Sequence, residues 1–323
     1  MRVAQVTKFG GPEVIETIEA PDPVAGPGEV VIDVAYVDTI FVETQIRSGW
    51  GQEYFPVEPP YVPGNGVAGT VREVGEGVDE AWIGRCVVSS SGFTGGSAER
   101  VARAVDTLTP VPAGLELRDA AALMTDAVTA LGLLDVTGVE PGEKVLLLGA
   151  SGGMGTLLVQ LLHARGAEVV AVARGEHKLA LVRELGADHA IDATYEDWPE
   201  QARKALGGGG ADVVLDGVGG RLGTAAFPLA ADGGRFSAHG APTGGFAPLD
   251  QAEAERRGIT LLGIGNLQFD PEDQRHLRVR AYAQAAEGRL RPIIGEAFPL
   301  DRTADAHTAI EARTLLGKVL LAV

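Results

Sequence analysis

The segment Gly149-Ala150-Ser151-Gly152-Gly153-Met154-Gly155 follows the apolar run Lys144-Val-Leu-Leu-Leu148 and opens a helical pattern. A diphosphate can approach backbone N–H groups closely only where side chains are missing. A helix N-terminus supplies the unpaired donors and the positive end of the helix dipole. Strand, glycine turn and helix in this order predict a dinucleotide site, with Ser151, Gly152, Gly153, Met154 and Gly155 around the diphosphate. In the Gly-x-Gly-x-x-Gly register the first position is Ala150, a small residue where the tight-turn glycine usually stands.

About 20 residues after such a loop, an NADH site places Asp or Glu on the ribose 2′-hydroxyl. Here the chain reads Ala173-Arg174-Gly175, and Lys178 follows at the start of the next helix. Two cations suit a 2′-phosphate, so the expected cofactor is NADPH; the alternative is a pair of solvated surface cations.

These residues need a framework. After the glycine loop, helix and strand patterns alternate: helix 154–165, strand 168–173, helix 176–185 and strand 189–192, then an amphipathic stretch near 198–206. Strands follow at 212–216, 234–238 and 259–263, with Gly207–Gly210 as a surface loop. The alternation predicts a doubly wound parallel sheet, the Rossmann arrangement. Residues 1 to about 120 read instead as short strands cut by turns, such as Val30–Ala35 after Pro27-Gly28 and Val67–Val74 after Pro63-Gly64. One helix is predicted from Arg118 to Leu134, and helices near 271–287 and 304–312 precede a last strand at 318–323. The expected class is α/β, with a β-rich domain from 1–122 and 265–323 and a Rossmann domain from 123–264.

Composition narrows the partners. A length of 323 residues suits two domains, and a net charge of −17 repels nucleic acid and anionic membranes. No apolar run approaches the ~18 residues of a membrane span, and Met1–Val6 lacks the pattern of a secretory signal, so a cytoplasmic protein is expected. Cys86 is the only cysteine, which rules out an internal disulfide and a multi-cysteine zinc cage. It reads as a small buried hydrophobe.

With these residues in view, the chain resembles the zinc-independent, zeta-crystallin-like quinone oxidoreductase branch of the medium-chain dehydrogenase/reductase superfamily. The resemblance is carried by Ile46-Arg47-Ser48-Gly49, Val62-Pro63-Gly64, Val74-Gly75-Glu76-Gly77-Val78, Thr129-Ala130, the glycine loop and Lys178. Leu185-Gly186-Ala187-Asp188, Asp216-Gly217-Val218-Gly219 and Gly317-Lys318 extend it along nearly the whole chain. It implies a GroES-like catalytic domain built from both chain ends, a Rossmann domain between them, an active site in the cleft, and a homodimer. It also implies that Val218, His239, Gly240 and Leu267 lie at the nicotinamide end, with Thr129 and Lys318 as further cofactor contacts. The other reading of Lys318 is a surface residue at a strand start.

Zinc members of the superfamily carry an early Cys or His ligand and a Gly-His-Glu motif; here the aligned segment is Gly64-Asn65-Gly66, and no metal site is expected. Without a Lewis acid, the accessible chemistry is hydride addition to a conjugated system such as a quinone or an α,β-unsaturated carbonyl compound. The chain departs from the branch where many relatives carry Asn-x-x-Asp-x-Tyr, since Ile40, Glu43 and Gln45 occupy those positions. Candidate catalytic groups are therefore Gln45, Tyr54 and Asp126, and candidate pocket residues Ile40, Trp50, Asn65 and Thr125. Glu43 reads more simply as a salt-bridge partner, Tyr54 and Trp50 as packing under a loop, Asp126 as a surface carboxylate, and His239 as backbone-satisfied, its sharper alternative being a proton relay. The leading function is NADPH-dependent reduction of a quinone or enone. A biosynthetic enoyl-thioester or tailoring reductase and a catalytically vestigial NADPH-binding structural protein are the alternatives.

Overall fold

Short runs of β-branched residues separated by glycine and proline build the N-terminal half. The structure, a computed structural model, describes residues 1–90 and 92–323. Strands β1 (Arg2–Val6) and β2 (Ile15–Glu19) form an antiparallel ribbon. The long strand β3 (Glu29–Thr39) leads into α1 (Phe41–Ser48), then β4 (Gly66–Val74), β5 (Cys86–Ser90), β6 (Arg100–Ala104), β7 (Leu108–Pro110) and α2 (Leu117–Leu123). The second half runs α3 (Asp126–Thr137), β8 (Lys144–Leu148), α4 (Gly153–Ala164), β9 (Glu168–Ala173), α5 (Glu176–Glu184), β10 (His189–Asp192) and α6 (Trp198–Ala205). It continues through β11 (Ala211–Asp216), α7 (Gly220–Ala226), β12 (Ala230–Ala238), α8 (Gln251–Arg257) and β13 (Thr260–Gly263) to α9 (Pro271–Ala286). The chain ends with β14 (Ile294–Pro299), α10 (Thr303–Ala312) and β15 (Lys318–Ala322).

Residue contacts divide the chain into one unit of Met1–Thr125 with Arg278–Val323 and a second of Asp126–Leu277. The sequence placed these divisions at 122/123 and 264/265; the later one falls inside α9.

The first unit is organised by β3. Its sheet runs β14-β15-β3-β4-β5-β7, with β6 also paired to β3. Val30, Ile32, Val34 and Val37 of β3 pack with Val67, Val71 and Leu321 in an apolar core. Burial of such side chains contributes roughly 25 cal/mol per Å² of apolar surface removed from water. The register places Asp38 between Gly66 of β4 and Leu320 of β15. A carboxylate therefore sits inside the sheet, and side chains two residues apart on β15 share its face.

The second unit has the strand order β10-β9-β8-β11-β12-β13, parallel throughout. Leu146, Leu148, Val170, Val214, Phe236 and Trp198 fill one side of it. Chain order reverses between β8 and β11, so the switch point lies beyond the carboxyl ends of those two strands. The alternating half of the sequence thus forms a Rossmann sheet.

Two expectations fail. The single helix over 118–134 is broken at Met124-Thr125 into α2 and α3. The Thr125 hydroxyl donates to Asp38 and accepts from Asn65, while Arg278 donates to the Met124 carbonyl, so buried polar partners compete with helix bonds there. Cys86 is exposed, not buried. It opens β5 opposite Thr70, and Val87 and Val88 take the core positions instead.

Arg47 of α1 is enclosed, bonding the Gly10 carbonyl and His307 Nδ1 and pairing with Glu311. A guanidinium only donates, so His307 accepts at Nδ1 and carries its proton on Nε2. Burial, reinforced by the Arg47 charge, pulls the His307 pKa down to about 3. The folded imidazole thus binds fewer protons than the unfolded one below about pH 6.5, and its contribution to stability falls as pH drops from there toward 3. His307→Asn keeps an acceptor for Arg47 without that titration. Urea unfolding should show the variant gaining on wild type between pH 6.5 and 4 by on the order of 1 kcal/mol per pH unit; parallel pH profiles would contradict a neutral buried His307.

Candidate active site

The phosphate loop is built by backbone packing. Gly149 adopts φ +74°, and a Cβ on Gly155 would overlap the Gly149 carbonyl, so α4 presses directly on the end of β8. Gly152 is the N-cap of α4 and offers its first turn no side-chain acceptor; no acidic residue stands in that turn. The contrast is α8, whose N-cap Asp250 accepts the Glu253 N–H. Unfilled donors without a repelling carboxylate are what an anion requires. Added Cβ atoms meet only the Gly149 carbonyl at 3.5 Å from Gly152, and nothing within 4 Å from Gly175, so both positions leave room. The residues present fit a dinucleotide.

Arg174 and Lys178 occupy the end of β9 and the first turn of α5. Arg174 is exposed and forms no ion pair found among the described residues; Lys178 is half-buried. The turn carrying them is held by Asp192 at the end of β10, which accepts the Gly175 and Thr194 N–H groups at 3.1 and 2.9 Å. Desolvation pushes this carboxyl upward, but the two N–H bonds outweigh it and leave the pKa below its usual value.

At the switch point, Asp216 closes β11. Its Oδ1 accepts the Val218 and Gly219 N–H groups at 2.9 and 2.8 Å, and its carbonyl accepts those of His239 and Gly240 at 3.1 and 3.0 Å. Burial raises the Asp216 pKa against those N–H bonds. A Cβ on Gly240 would overlap the Gly217 carbonyl, and one on Gly149 would touch Val218 at 3.0 Å. The loops after β8, β11 and β12 therefore meet around Val218, His239 and Gly240. His239 is buried, its Nδ1 lies 3.2 Å from the Ser237 hydroxyl, and burial lowers its pKa to about 4, so it is neutral at physiological pH. A backbone hydrogen bond with Ser237 stands beside that side-chain contact, in line with the backbone-satisfied reading from sequence. Leu267 is buried in the turn after β13, where Asn266 accepts the Gly263 N–H.

The first unit carries a second polar group. Asp38 has no exposed surface; its Oδ1 pairs with Lys318 Nζ at 2.6 Å, and its Oδ2 accepts the Thr125 hydroxyl at 2.5 Å. Asn65 Nδ2 donates to Thr125 Oγ1 at 2.6 Å and to Asp38 Oδ2 at 3.3 Å. Lys318 is buried, in contrast to the surface position that was its simpler reading. Glu43 lies close by, but it is no salt bridge. Its two oxygens accept the Ile40 and Gly64 N–H groups at 3.1 and 2.9 Å, and burial pushes its pKa up to about 8.

Among the other expected residues, Tyr54 is exposed, while Ile40, Gln45 and Trp50 are half-buried on and beside α1. Thr125 falls in the helix break, whereas Asp126 and Thr129 belong to α3 in the second unit, so the three do not share one helix. Sequence reasoning missed Asp38, Asp192 and Asp216. An Asp one and three residues before glycine at a strand end, as in Asp216-Gly-Val-Gly, was the available sign for the last. Among the described residues, no three His, Cys, Asp or Glu side chains gather as a metal site.

Residues 26–113 match the alcohol dehydrogenase GroES-like domain family, and residues 153–276 match the zinc-binding dehydrogenase family. The chain is 32% identical over 326 residues to the quinone oxidoreductase of Sus scrofa, covering 99% of this chain and 97% of the other. It is 30% identical over 327 residues to the 2-haloacrylate reductase of a Burkholderia species, covering 98% of each. A mycobacterial protein solved in complex with NADPH superposes with a TM-score of 0.90 at 30% identity, over 100% of both chains.

Gly155→Ala should destabilise the protein by about 1–3 kcal/mol because its methyl group meets fixed backbone. Gly152→Ala should leave the thermal midpoint nearly unchanged. Equal midpoints for the two variants would show that α4 does not press on the end of β8 as described.

Proposed function

The chain belongs to the zinc-independent quinone oxidoreductase branch of the medium-chain dehydrogenase/reductase superfamily, and on that premise we propose that it reduces a quinone or another α,β-unsaturated carbonyl compound. It is an NADPH-dependent oxidoreductase. The observation that carries the cofactor's place is the uncapped α4 N-terminus beside a strand end bearing Arg174 and Lys178.

The chain's own groups divide the work. N–H groups of Gly153 to Gly155 hold the diphosphate, with Gly152 leaving room for it beside Ser151, and Arg174 and Lys178 take the 2′-phosphate. Val218, His239, Gly240 and Leu267 shape the nicotinamide end, with Thr129 and Lys318 as further contacts. Ser151, buried beside Gly152, lies next to the diphosphate. Bound NADPH supplies a hydride. His239, held neutral, offers a hydrogen bond without adding charge. Gln45, Tyr54 and Asp126 remain the proposed groups near the substrate, with Ile40, Trp50, Asn65 and Thr125 lining its pocket.

A second reading, reduction of an activated carbon–carbon double bond in a carboxylic acid derivative, is favoured by the 2-haloacrylate reductase among the relatives. It covers the enoyl-thioester alternative, since both add hydride to a carbon conjugated to a carbonyl group. The branch's habit suggests a homodimer, and the strongly acidic composition fits a cytoplasmic enzyme acting on small molecules.

Replacing Arg174 and Lys178 together by Ala should raise the NADPH dissociation constant about 100-fold while changing that for NADH by less than about threefold, as expected for two charge-assisted contacts to one phosphate. Fluorescence titration of both dinucleotides decides it. Equal weakening would place the 2′-phosphate elsewhere.

A further inference from the structure

The buried group around Asp38 has no part in holding the dinucleotide diphosphate, and its cost calls for an account. Moving Lys318 and Asp38 out of water costs several kcal/mol per ion, and a well-packed apolar pair would hold β15 against β3 as well or better. The contacts also run in one direction. An enclosed ammonium pairs at 2.6 Å with an enclosed carboxylate, which bonds at 2.5 Å to the partly exposed hydroxyl of Thr125. Other helix-associated threonines spend their hydroxyls on backbone carbonyls, as Thr137 does on Leu133 and Thr156 on Gly153. Thr125 instead sits in the break between α2 and α3, with its proton on a carboxylate and its oxygen held by Asn65.

We infer that Thr125, backed by the buried Asp38–Lys318 pair, hydrogen-bonds the carbonyl oxygen of the acceptor and hands it the proton that completes reduction. This rests on the reductase reading above and adds to it the source of the proton. As hydride from the reduced dinucleotide forms the new C–H bond, an electron pair of the conjugated system moves onto the carbonyl oxygen. The Thr125 hydroxyl turns from Asp38 to that oxygen; its O–H bond breaks as the substrate O–H bond forms. Asp38 takes a proton from the Lys318 ammonium and passes it to the Thr125 oxygen; after the product leaves, solvent at the partly exposed Thr125 hydroxyl returns a proton along the same path to the Lys318 amine. One hydride and one proton are consumed. Asp38, Lys318 and Asn65 act through Thr125 and are positioning residues.

The full-length protein carries the test as wild type, Thr125→Val, Thr125→Ser and the double variant Asp38→Asn with Lys318→Met, which leaves no unpaired buried charge. Turnover is measured with 1,4-benzoquinone and 2-cyclohexenone, NADPH affinity by fluorescence titration, and oxyanion stabilisation by the phenolate band of p-nitrophenol added without dinucleotide. Thr125→Val should lower kcat about 100-fold, the lower range for a lost general acid, with NADPH affinity held within about twofold, and the double variant should lower kcat by the same factor. Thr125→Ser should recover most of the rate. Bound p-nitrophenol should ionise at lower pH on wild type than on Thr125→Val. Wild-type kcat in Thr125→Val, or the same p-nitrophenol spectrum on both proteins, overturns the inference. The reading beneath it fails differently, by wild type leaving NADPH unoxidised with both acceptors.

Discussion

A carboxylate with no access to water must be matched by donors, and Asp38 imposes that demand near the end of the long strand β3. Its two oxygens take Lys318 from the last strand of the chain and the Thr125 hydroxyl from the gap between two helices. Asn65, just before β4, ties the hydroxyl and the carboxylate together. Strand pairing alone would align β15, β3 and β4; the ion pair additionally selects which residues face one another, because removing one partner of a buried pair leaves an uncompensated charge. With Asp38 buried, the returning C-terminal segment supplies its counter-charge through Lys318, while apolar packing holds β15 in the sheet.

The second unit meets the same demand with backbone donors. Asp216 and Asp192 stand at the carboxyl ends of β11 and β10 and accept N–H groups from the turns that follow or neighbour them. Each converts a flexible glycine-containing turn into a fixed one, which matters where backbone must lie against a ligand. Glycine completes the arrangement by allowing main chain to touch main chain, as at Gly240 against Gly217 and Gly155 against Gly149. The first turn of α4 has neither a side-chain cap nor an acidic residue.

Much of this was legible in the residues alone. The run Lys144–Gly155 and the alternation after it announce a parallel sheet with its phosphate loop, since helix and strand periodicities are local properties and turn chemistry marks their ends. The positions of Arg174 after β9 and Lys178 in the first turn of α5 were legible for a similar reason, being set by distance from that loop along one βαβ unit. The misreadings concern long-range partners and burial. The helix expected over 118–134 is broken, Cys86 lies on the outer side of its strand, and Glu43 is a backbone acceptor instead of a salt-bridge partner.

What the sequence by itself determined is therefore the Rossmann unit and its glycine-floored helix start, because each follows from neighbours a few residues apart. Tertiary structure alone decided the Asp38–Lys318–Thr125–Asn65 group and the broken helix that serves it. No local pattern marks a partner from the other end of the chain, and the free energy that joins those four side chains arises only when the strands between them have already excluded water.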